Sequence, residues 1–574
     1  MIFKQNLKNV VDGKQKVFLV ILLFGSIFLS LFEMIGIGSI GIFVAILSDS
    51  QSFIEKIPFE SLQSFLSQFK INKLIILFGI ALTLVFLFKN LLIVIYKFFE
   101  LRIKNKINLD ISKKIYSEYL HRDISFHNNK NPAELVNIVN SVTNSASLYI
   151  FTIINFIKEI FLIFFLISGL FVINFKLSLY LLLAILIVSS ILYISIKNFI
   201  KKLGKDGIEI EKNILKSLNE GLGGIKIIKT LKNYNFFVKE FKNLKSKQFD
   251  MLLIVQILAL LPKLLLEIFA VACTAVLTIF LLKTNLTFVQ IIPILTVISL
   301  ILVRMIPSFS NINTALQHIR YMGPHYDTVS RELTNKIDKS SEENVDEKIT
   351  VINGEIDTVE LRDLTFSYGK KNILDKANIE LKKGQFIGLI GETGTGKTTL
   401  VDIILGLLKP EEGKIVINKL KETLNFSFLT KYIGYVPQDI YLADCSIAEN
   451  IAFGEEESKI DIGRIKKSLK LSQLNEFINS SDDDIFSKVG DRGVRISGGQ
   501  KQRIGIARAL YRNPKILIMD ESTNSLDSFT EENFIKDVKN ISKEMIVLFI
   551  THRTSTLRFC DKIYKLENCK IIEQ

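Results

Sequence analysis

The sequence predicts a two-part protein: an α-helical membrane domain of six spans, followed by a soluble α/β domain built around a glycine-rich loop. Two observations predict it. Apolar residues crowd the first 330 positions, and from about 354 short apolar strands alternate with helical stretches. At 574 residues the chain is too long for one core, and 48% of it is hydrophobic with a positive mean hydropathy. The expected division is a membrane domain over 1–335, a polar linker over 336–353 and the soluble domain over 354–574.

The membrane half reads as six apolar stretches near 17–47, 74–96, 149–173, 177–197, 252–282 and 288–310. Each reaches the roughly 20 residues that cross a bilayer core. The first is preceded by Lys14 and Lys16 but runs on past Glu33 to Leu47, longer than a signal peptide and without a small-residue cleavage site, so it is expected to stay as a span. Connections at 174–176 and 283–287 are tight, whereas 97–148 carries eight Lys/Arg and 198–250 carries twelve. That distribution puts both termini and both long connections in the cytoplasm. The net charge of +14 is therefore spread between spans, not gathered on one face as a nucleic-acid partner would require. Apolar periodicity at Ile214, Leu218, Leu222, Ile225 and Ile228 predicts that the spans continue as helices beyond the membrane. Leu62, Phe65, Leu66 and Phe69 follow Pro58 at helical spacing and predict a short amphipathic helix over 59–69, lying on the outer membrane face or packed on the protein. The cysteines, Cys273, Cys445, Cys560 and Cys569, have neither zinc-ligand spacing nor a CxxC pair, and read as scattered thiols.

In the soluble half, the run Phe386–Ile390 leads into Gly391-Glu392-Thr393-Gly394-Thr395-Gly396-Lys397-Thr398, with Thr399 and a helical run to Leu408 behind it. Strand, glycine-rich loop and helix form the context of a P-loop, in which backbone N–H groups converge on phosphate at a helix N-terminus. Lys397 would supply charge to the β- and γ-phosphates of ATP, and Thr398 a hydroxyl to Mg²⁺. A second apolar strand, Ile516–Met519, ends in Asp520-Glu521, the Walker B arrangement: Asp520 for Mg²⁺ and Glu521 for the attacking water.

The segment Ile496-Ser497-Gly498-Gly499-Gln500 resembles the signature of the ATP-binding-cassette exporter family, with Ile in place of the usual Leu. The other motifs of that family stand in order around it. Tyr368 resembles the aromatic that stacks on adenine, and Gln438 the Q-loop glutamine that reaches Mg²⁺ and the reacting water. Gly490-Asp491-Arg492-Gly493 resembles the exporter-specific loop, Asn524–Asp527 the D-loop with Asp527 at the nucleotide, and His552 the switch histidine. The resemblance covers the whole chain. It implies an exporter-type membrane domain on an ATP-hydrolysing cassette, in a bacterial inner membrane, with loop tips near 122–128 and 218–225 resting on the cassettes. It also implies that the signature of one cassette completes the ATP site of another. The expected partner is a second copy of the same chain; a heterodimer is the alternative.

Lys89, Lys263 and Arg304 lie within apolar stretches about 24, 30 and 26 Å from their outer ends, at about 1.5 Å per residue. Three intramembrane cations at one level point to an anionic headgroup, and Lys can also snorkel to the interface. Glu33 and Glu267 lie in the same kind of stretch and could instead neutralise them by pairing. Phe88–Leu92, Leu261-Pro262-Lys263, Val303–Pro307 and Gly406–Pro410 resemble the bacterial lipid-linked oligosaccharide flippase family of N-glycosylation. In that family intramembrane arginines face a polyprenyl diphosphate; Lys at 89 and 263 keeps the charge without the bidentate fork. The expected cargo is thus a lipid-linked oligosaccharide, moved from the cytoplasmic to the outer leaflet. Another amphiphile, such as a glycolipid, lipid or drug, is the alternative.

Overall fold

The computed structural model describes residues 10–48, 50, 54, 60–173, 175–282, 288–334, 356–369, 371–392, 394–418, 429–474, 485–490, 493–494, 496–523 and 528–574, with side chains described only in part between 170 and 197 and between 259 and 294. Two compact units emerge, Met1–Arg122 with His127–Ile337, and Asp123–Phe126 with Asp338–Gln574.

The first unit is helical among the described residues. Its long helices are α1 (Gly13–Ser48), α3 (Ile71–Leu120), α6 (Thr143–Ile173), α7 (Phe175–Gly223), α9 (Tyr234–Leu282) and α10 (Phe288–Thr334). Between them lie the shorter α2 (Glu60–Ser67), α4 (Ile124–Asn129, whose residues up to Phe126 belong to the second unit), α5 (Pro132–Asn137) and α8 (Ile225–Leu231). Among the described residues five helices are long and apolar enough to cross a membrane. The side chains of the fourth expected span, 177–197, lie largely outside the described set, although its backbone is helical within α7.

At 50 residues α3 is about 75 Å long, more than twice a hydrocarbon core of about 30 Å. Its composition changes along that length. The apolar first half shows Ile76, Leu84, Leu87 and Leu91 on its surface. In the second half Ile107, Ile111, Ile115 and Tyr119 are buried at every fourth position, one stripe of an amphipathic helix. Of the periodic set read from the sequence in the later connection, Ile214 and Ile228 are buried, whereas Leu218, Leu222 and Ile225 are exposed. Leu162, Leu166, Ile298, Ile301, Leu302 and Met305 form the packed core between α6 and α10. Gly204 lets α7 approach α10 closely: a Cβ there would fall 2.2 Å from the Tyr321 carbonyl oxygen.

The turn expected near 218–225 falls a few residues later. α7 stays helical to Gly223, and the chain reverses through Gly224, α8 and Lys232, which takes the left-handed conformation (φ 54°). Leu218 and Leu222 belong to α7 and not to the tip, since the helix runs on through Gly221 and ends only at the Gly223-Gly224 pair. In the outer segment, α2 carries a buried Leu66 and an exposed Phe65, whose ring meets Phe69 edge-on at 5.2 Å; the side chain of Leu62 is outside the described residues.

The second unit is α/β. A three-stranded antiparallel sheet runs β2-β1-β4 (Lys371–Lys382, Thr358–Tyr368, Glu412–Ile417). A six-stranded sheet runs β5-β6-β7-β3-β8-β9 (Ile433–Val436, Ile516–Asp520, Ile546–Ile550, Phe386–Ile390, Lys562–Glu567, Lys570–Glu573). The strands are parallel except β9. The central strands are apolar throughout because both faces are covered. Successive side chains go to opposite faces. Ile387, Leu389, Ile516, Ile518, Leu548 and Ile550 pack with α11 (Lys397–Ile404) in one core. Phe386, Leu517, Met519, Val547 and Phe549 pack in the other with α12 (Ile447–Ile451), α13 (Ile462–Leu471), α14 (Gly498–Tyr511) and α15 (Ser528–Ser542). Ile124 is packed against the first of these cores, within the same compact unit.

Candidate functional site

In a parallel sheet with helices on both faces, side chains just beyond the C-terminal strand ends share one crevice. Four neighbouring strands deliver motif residues there. β3 ends at the glycine-rich loop, β6 at Asp520-Glu521, β7 at Thr551-His552 and β5 at Pro437-Gln438. Gln438 Nε2 donates to Glu521 Oε2 at 3.0 Å, and His552 Nε2 lies 2.9 Å from Glu521 Oε1. Three residues up to 114 positions apart in sequence thus meet on one carboxylate.

The loop is a cradle whose shape its glycines permit. Gly394 (φ 83°) and Gly396 (φ 108°) take left-handed conformations, and a Cβ on Gly396 would lie 2.4 Å from the Ile373 side chain. Lys397 begins α11, is buried, and donates from Nζ to the carbonyls of Gly391 (2.7 Å) and Glu392 (2.9 Å). Its ammonium spans the loop where phosphate oxygens would sit. Burial pushes its pKa down, against the opposing pull of Glu521 and Asp520. Thr398 is exposed at the mouth of the loop and Thr399 is buried beneath it; Thr393 is outside the described residues.

Asp520 is buried, and its pKa is pushed up to about 6, first by desolvation and then by the negative charges of Glu521 and Asp402. Glu521 itself holds a positive φ of 44°, unusual for a residue with a side chain, and its N–H donates to the Ile550 carbonyl at 3.0 Å. Mg²⁺ fits this donor set. A hydroxyl at Thr398, a carboxylate at Asp520 and an amide oxygen at Gln438 are hard oxygen ligands, and a cation would relieve the acid–acid repulsion that raises Asp520.

Ser497 caps α14. Its hydroxyl accepts from Gln500 N–H at 3.3 Å while the Gln500 side chain accepts from Ser497 N–H at 2.9 Å, a reciprocal capping box. Gly498 and Gly499 open the helix behind it, leaving N–H groups at an N-terminus suited to an anion. This helix lies in the second core, on the sheet face opposite to α11. Tyr368 stands 51% exposed at the end of β1, its ring edge-on to Phe366. Asp491, Arg492 and Asn524–Asp527 lie outside the described residues.

One buried group was not signalled by any motif. Glu531 of α15 accepts from Thr523 Oγ1 at 2.7 Å and pairs with Arg553 at 2.6 Å, joining the chain beyond β6 to the chain beyond β7.

The three membrane cations differ from one another. Arg304 is taken up by Glu33: its Nε donates to Oε2 at 3.0 Å and its Nη2 to both carboxylate oxygens. Pairing, one of the two readings open from the sequence, therefore describes Arg304. Half-buried Lys89 places Nζ 4.5 Å from the centre of the Phe86 ring, with its stem beside Gly36 of α1. Lys263 is exposed, as is Glu267 one turn away. Cys445, Cys560 and Cys569 are free thiols.

Comparison with known proteins follows this division. Residues 15–305 match the ABC transporter transmembrane region, and residues 374–524 match the ABC transporter cassette. A Nostoc protein, "Heterocyst differentiation ATP-binding protein HepA", is 31% identical over 48% of this chain and 44% of its own length. "ABC transporter B family member 6" of Dictyostelium discoideum is 34% identical over 38% of this chain and 33% of its own. The chain spans less than half the length of the curated relatives it matches. A solved structure, that of a bacterial Atm1-family ABC exporter with ATP bound, superposes with a TM-score of 0.77 over 99% of this chain and 95% of that one, at 19% identity. It shares the fold: an exporter-type membrane domain fused to a nucleotide-binding α/β domain. With more than half of its residues matched by the membrane-region model and a cassette behind it, the chain belongs to the ABC transporter family.

Proposed function

We propose that the chain is an ATP-driven exporter that works as a pair of identical copies and moves a lipid-linked oligosaccharide from the cytoplasmic to the outer leaflet. The observation that carries the paired site is the placement of α11 and α14 in the two cores on opposite faces of one sheet. A nucleotide on the glycine-rich loop of one copy then needs the N-terminus of α14 from another to close over its phosphates.

The chain's own residues divide the work of hydrolysis. Lys397 exchanges the Gly391 and Glu392 carbonyls for β- and γ-phosphate oxygens, anionic acceptors that make charge-assisted bonds to its ammonium. Gly391, Glu392, Thr393, Gly394, Thr395 and Gly396 wrap the phosphates, and Tyr368 stacks on the base. Ser497, Gly498, Gly499, Gln500 and Asp527 act on the nucleotide bound to the opposite copy. Thr398, Gln438 and Asp520 would hold Mg²⁺, which when bound would supply positive charge to the leaving phosphate. Glu521 orients and deprotonates the attacking water, held for that purpose by Gln438 and His552. Closure drives transport because ATP binds the closed pair better than the open one.

For the cargo, Lys89 and Lys263 are the cations offered to a diphosphate, while Arg304 holds α10 to α1 through Glu33 and contributes little net charge. Another amphiphile with an anionic headgroup would meet the same two lysines. The test is ATP-dependent translocation in proteoliposomes loaded with a polyprenyl-diphosphate oligosaccharide, with Glu521→Gln as control. Movement requiring ATP, Glu521 and Lys89 is expected. Full ATPase activity without movement of this lipid would overturn the cargo.

A further inference from the structure

We propose that Glu531 is a positioning residue that holds the Glu521–His552 pair in register; this rests on the reading that Glu521 activates water. β6 and β7 are held to each other by their ladder as far as Asp520 and Ile550, and among the described residues the bond from Glu521 N–H to the Ile550 carbonyl is the last backbone bond between them. Glu521 and His552 both lie past that point, where the strands no longer fix their spacing. Beyond it, a buried carboxylate bonds to both segments. Glu531, 4% exposed, accepts from Thr523 Oγ1 (2.7 Å), two residues after Glu521. It also pairs with Arg553 Nη1 (2.6 Å), the residue after His552, and accepts from Thr556 Oγ1 at a longer 3.4 Å. Thr523 and Thr556 are themselves buried, at 1% and 0% exposure.

The chemistry of the clamp follows from its burial. A carboxylate offers about four acceptor directions, and three donors from two segments occupy them here. Around the buried Glu531 carboxylate these charge-assisted bonds are short and directional, so they set a distance rather than merely adding stability. The Arg553 N–H is in turn fixed by the Thr551 hydroxyl at 3.0 Å, which orients the backbone on either side of His552. Removing the carboxylate frees Thr523 and Arg553 to separate, and His552 Nε2 loses its 2.9 Å contact with Glu521. Misplacement by about 1 Å costs a catalytic group on the order of 100-fold.

The experiment uses the full chain in detergent or nanodiscs and reads steady-state ATPase activity together with ATP binding. Glu531→Gln is expected to lower kcat by roughly 30- to 100-fold while the ATP KM stays within about three-fold, because the loop that binds phosphate is untouched. Placed on Glu521→Gln, the same change should add no further loss, since both act through one water. Arg553→Lys should retain several times the kcat of Arg553→Met, and this pair carries the test if Glu531→Gln does not fold. The proposal is overturned by a kcat within three-fold of wild type, by parallel loss of ATP binding and turnover, or by losses that add fully to that of Glu521→Gln. Normal turnover of Glu521→Gln alone would instead overturn the water-activating role on which the clamp depends.

Discussion

The phosphate crevice of the cassette and the cation level of the membrane unit are both clusters of charged side chains, yet they are built differently. In the cassette, each residue is fixed by a strand end: Gln438 by β5, Asp520 and Glu521 by β6, His552 by β7 and Lys397 by the turn after β3. Their meeting on Glu521 follows from sheet order. In the membrane unit, Lys89, Lys263 and Arg304 sit on three separate helices, and what each does is set by its lateral neighbour: Phe86 beside one, Glu33 against another. Backbone-fixed sites declare themselves as motifs, whereas sites made by helix packing have no local signature.

Four changes break or sharpen that contrast, with effects from large to small. Glu521→Gln should lower ATP turnover by roughly 100- to 10,000-fold, as expected for loss of a general base, with ATP binding preserved. Single-turnover assays with bound nucleotide check it. Gly396→Ala attacks the same site through the backbone: with φ at 108° and a 2.4 Å clash with Ile373, ATP affinity should fall at least about ten-fold. In the membrane unit the analogous lesion acts on stability. Glu33→Gln should cost on the order of 1–3 kcal/mol by stranding Arg304, and the double change Glu33→Gln/Arg304→Gln should recover most of it. Thermal unfolding in detergent measures both.

The smallest effect concerns pH. Burial would raise the pKa of Asp561, but the Phe386 N–H at 2.8 Å and Lys539 at 3.0 Å prevail and hold it below the usual carboxylate range. A lowered folded-state pKa contributes stability that is present above the unfolded value, about 4, and is lost as pH falls through the folded one. Asp561→Asn should therefore flatten the acid limb of the cassette's stability curve, by a modest amount because the carboxylate is 37% exposed. Denaturant titrations from pH 7 down to pH 3 read this.

Much of the cassette was legible. Strand, glycine-rich loop and helix read directly from Phe386 to Leu408, and the apolar run before Asp520 reads as a strand. What could not be read is equally specific. The positive φ of Glu521 depends on its bond to β7, and Glu531 is an ordinary acid on an exposed-looking helical stretch until Thr523 and Arg553 close around it. The Arg304–Glu33 pair joins residues 271 positions apart, so sequence could raise it only as one of two options. The reversal begins only at Gly224, near the end of the expected 218–225 tip, because α7 continues through Leu218, Gly221 and Leu222 to the glycine pair.

The central claim is that one copy's glycine-rich loop works with another copy's α14. Co-expression of a Lys397→Met chain with a Ser497→Arg chain tests it most directly, with ATPase activity measured on the purified mixed pair. Each variant alone pairs only with itself and damages both sites. In the mixed pair the two lesions fall together in one composite site and leave the other intact, so the account predicts that a substantial part of wild-type activity returns. A mixed pair as inactive as either variant alone would mean that each loop works with the signature of its own chain, and would contradict the account.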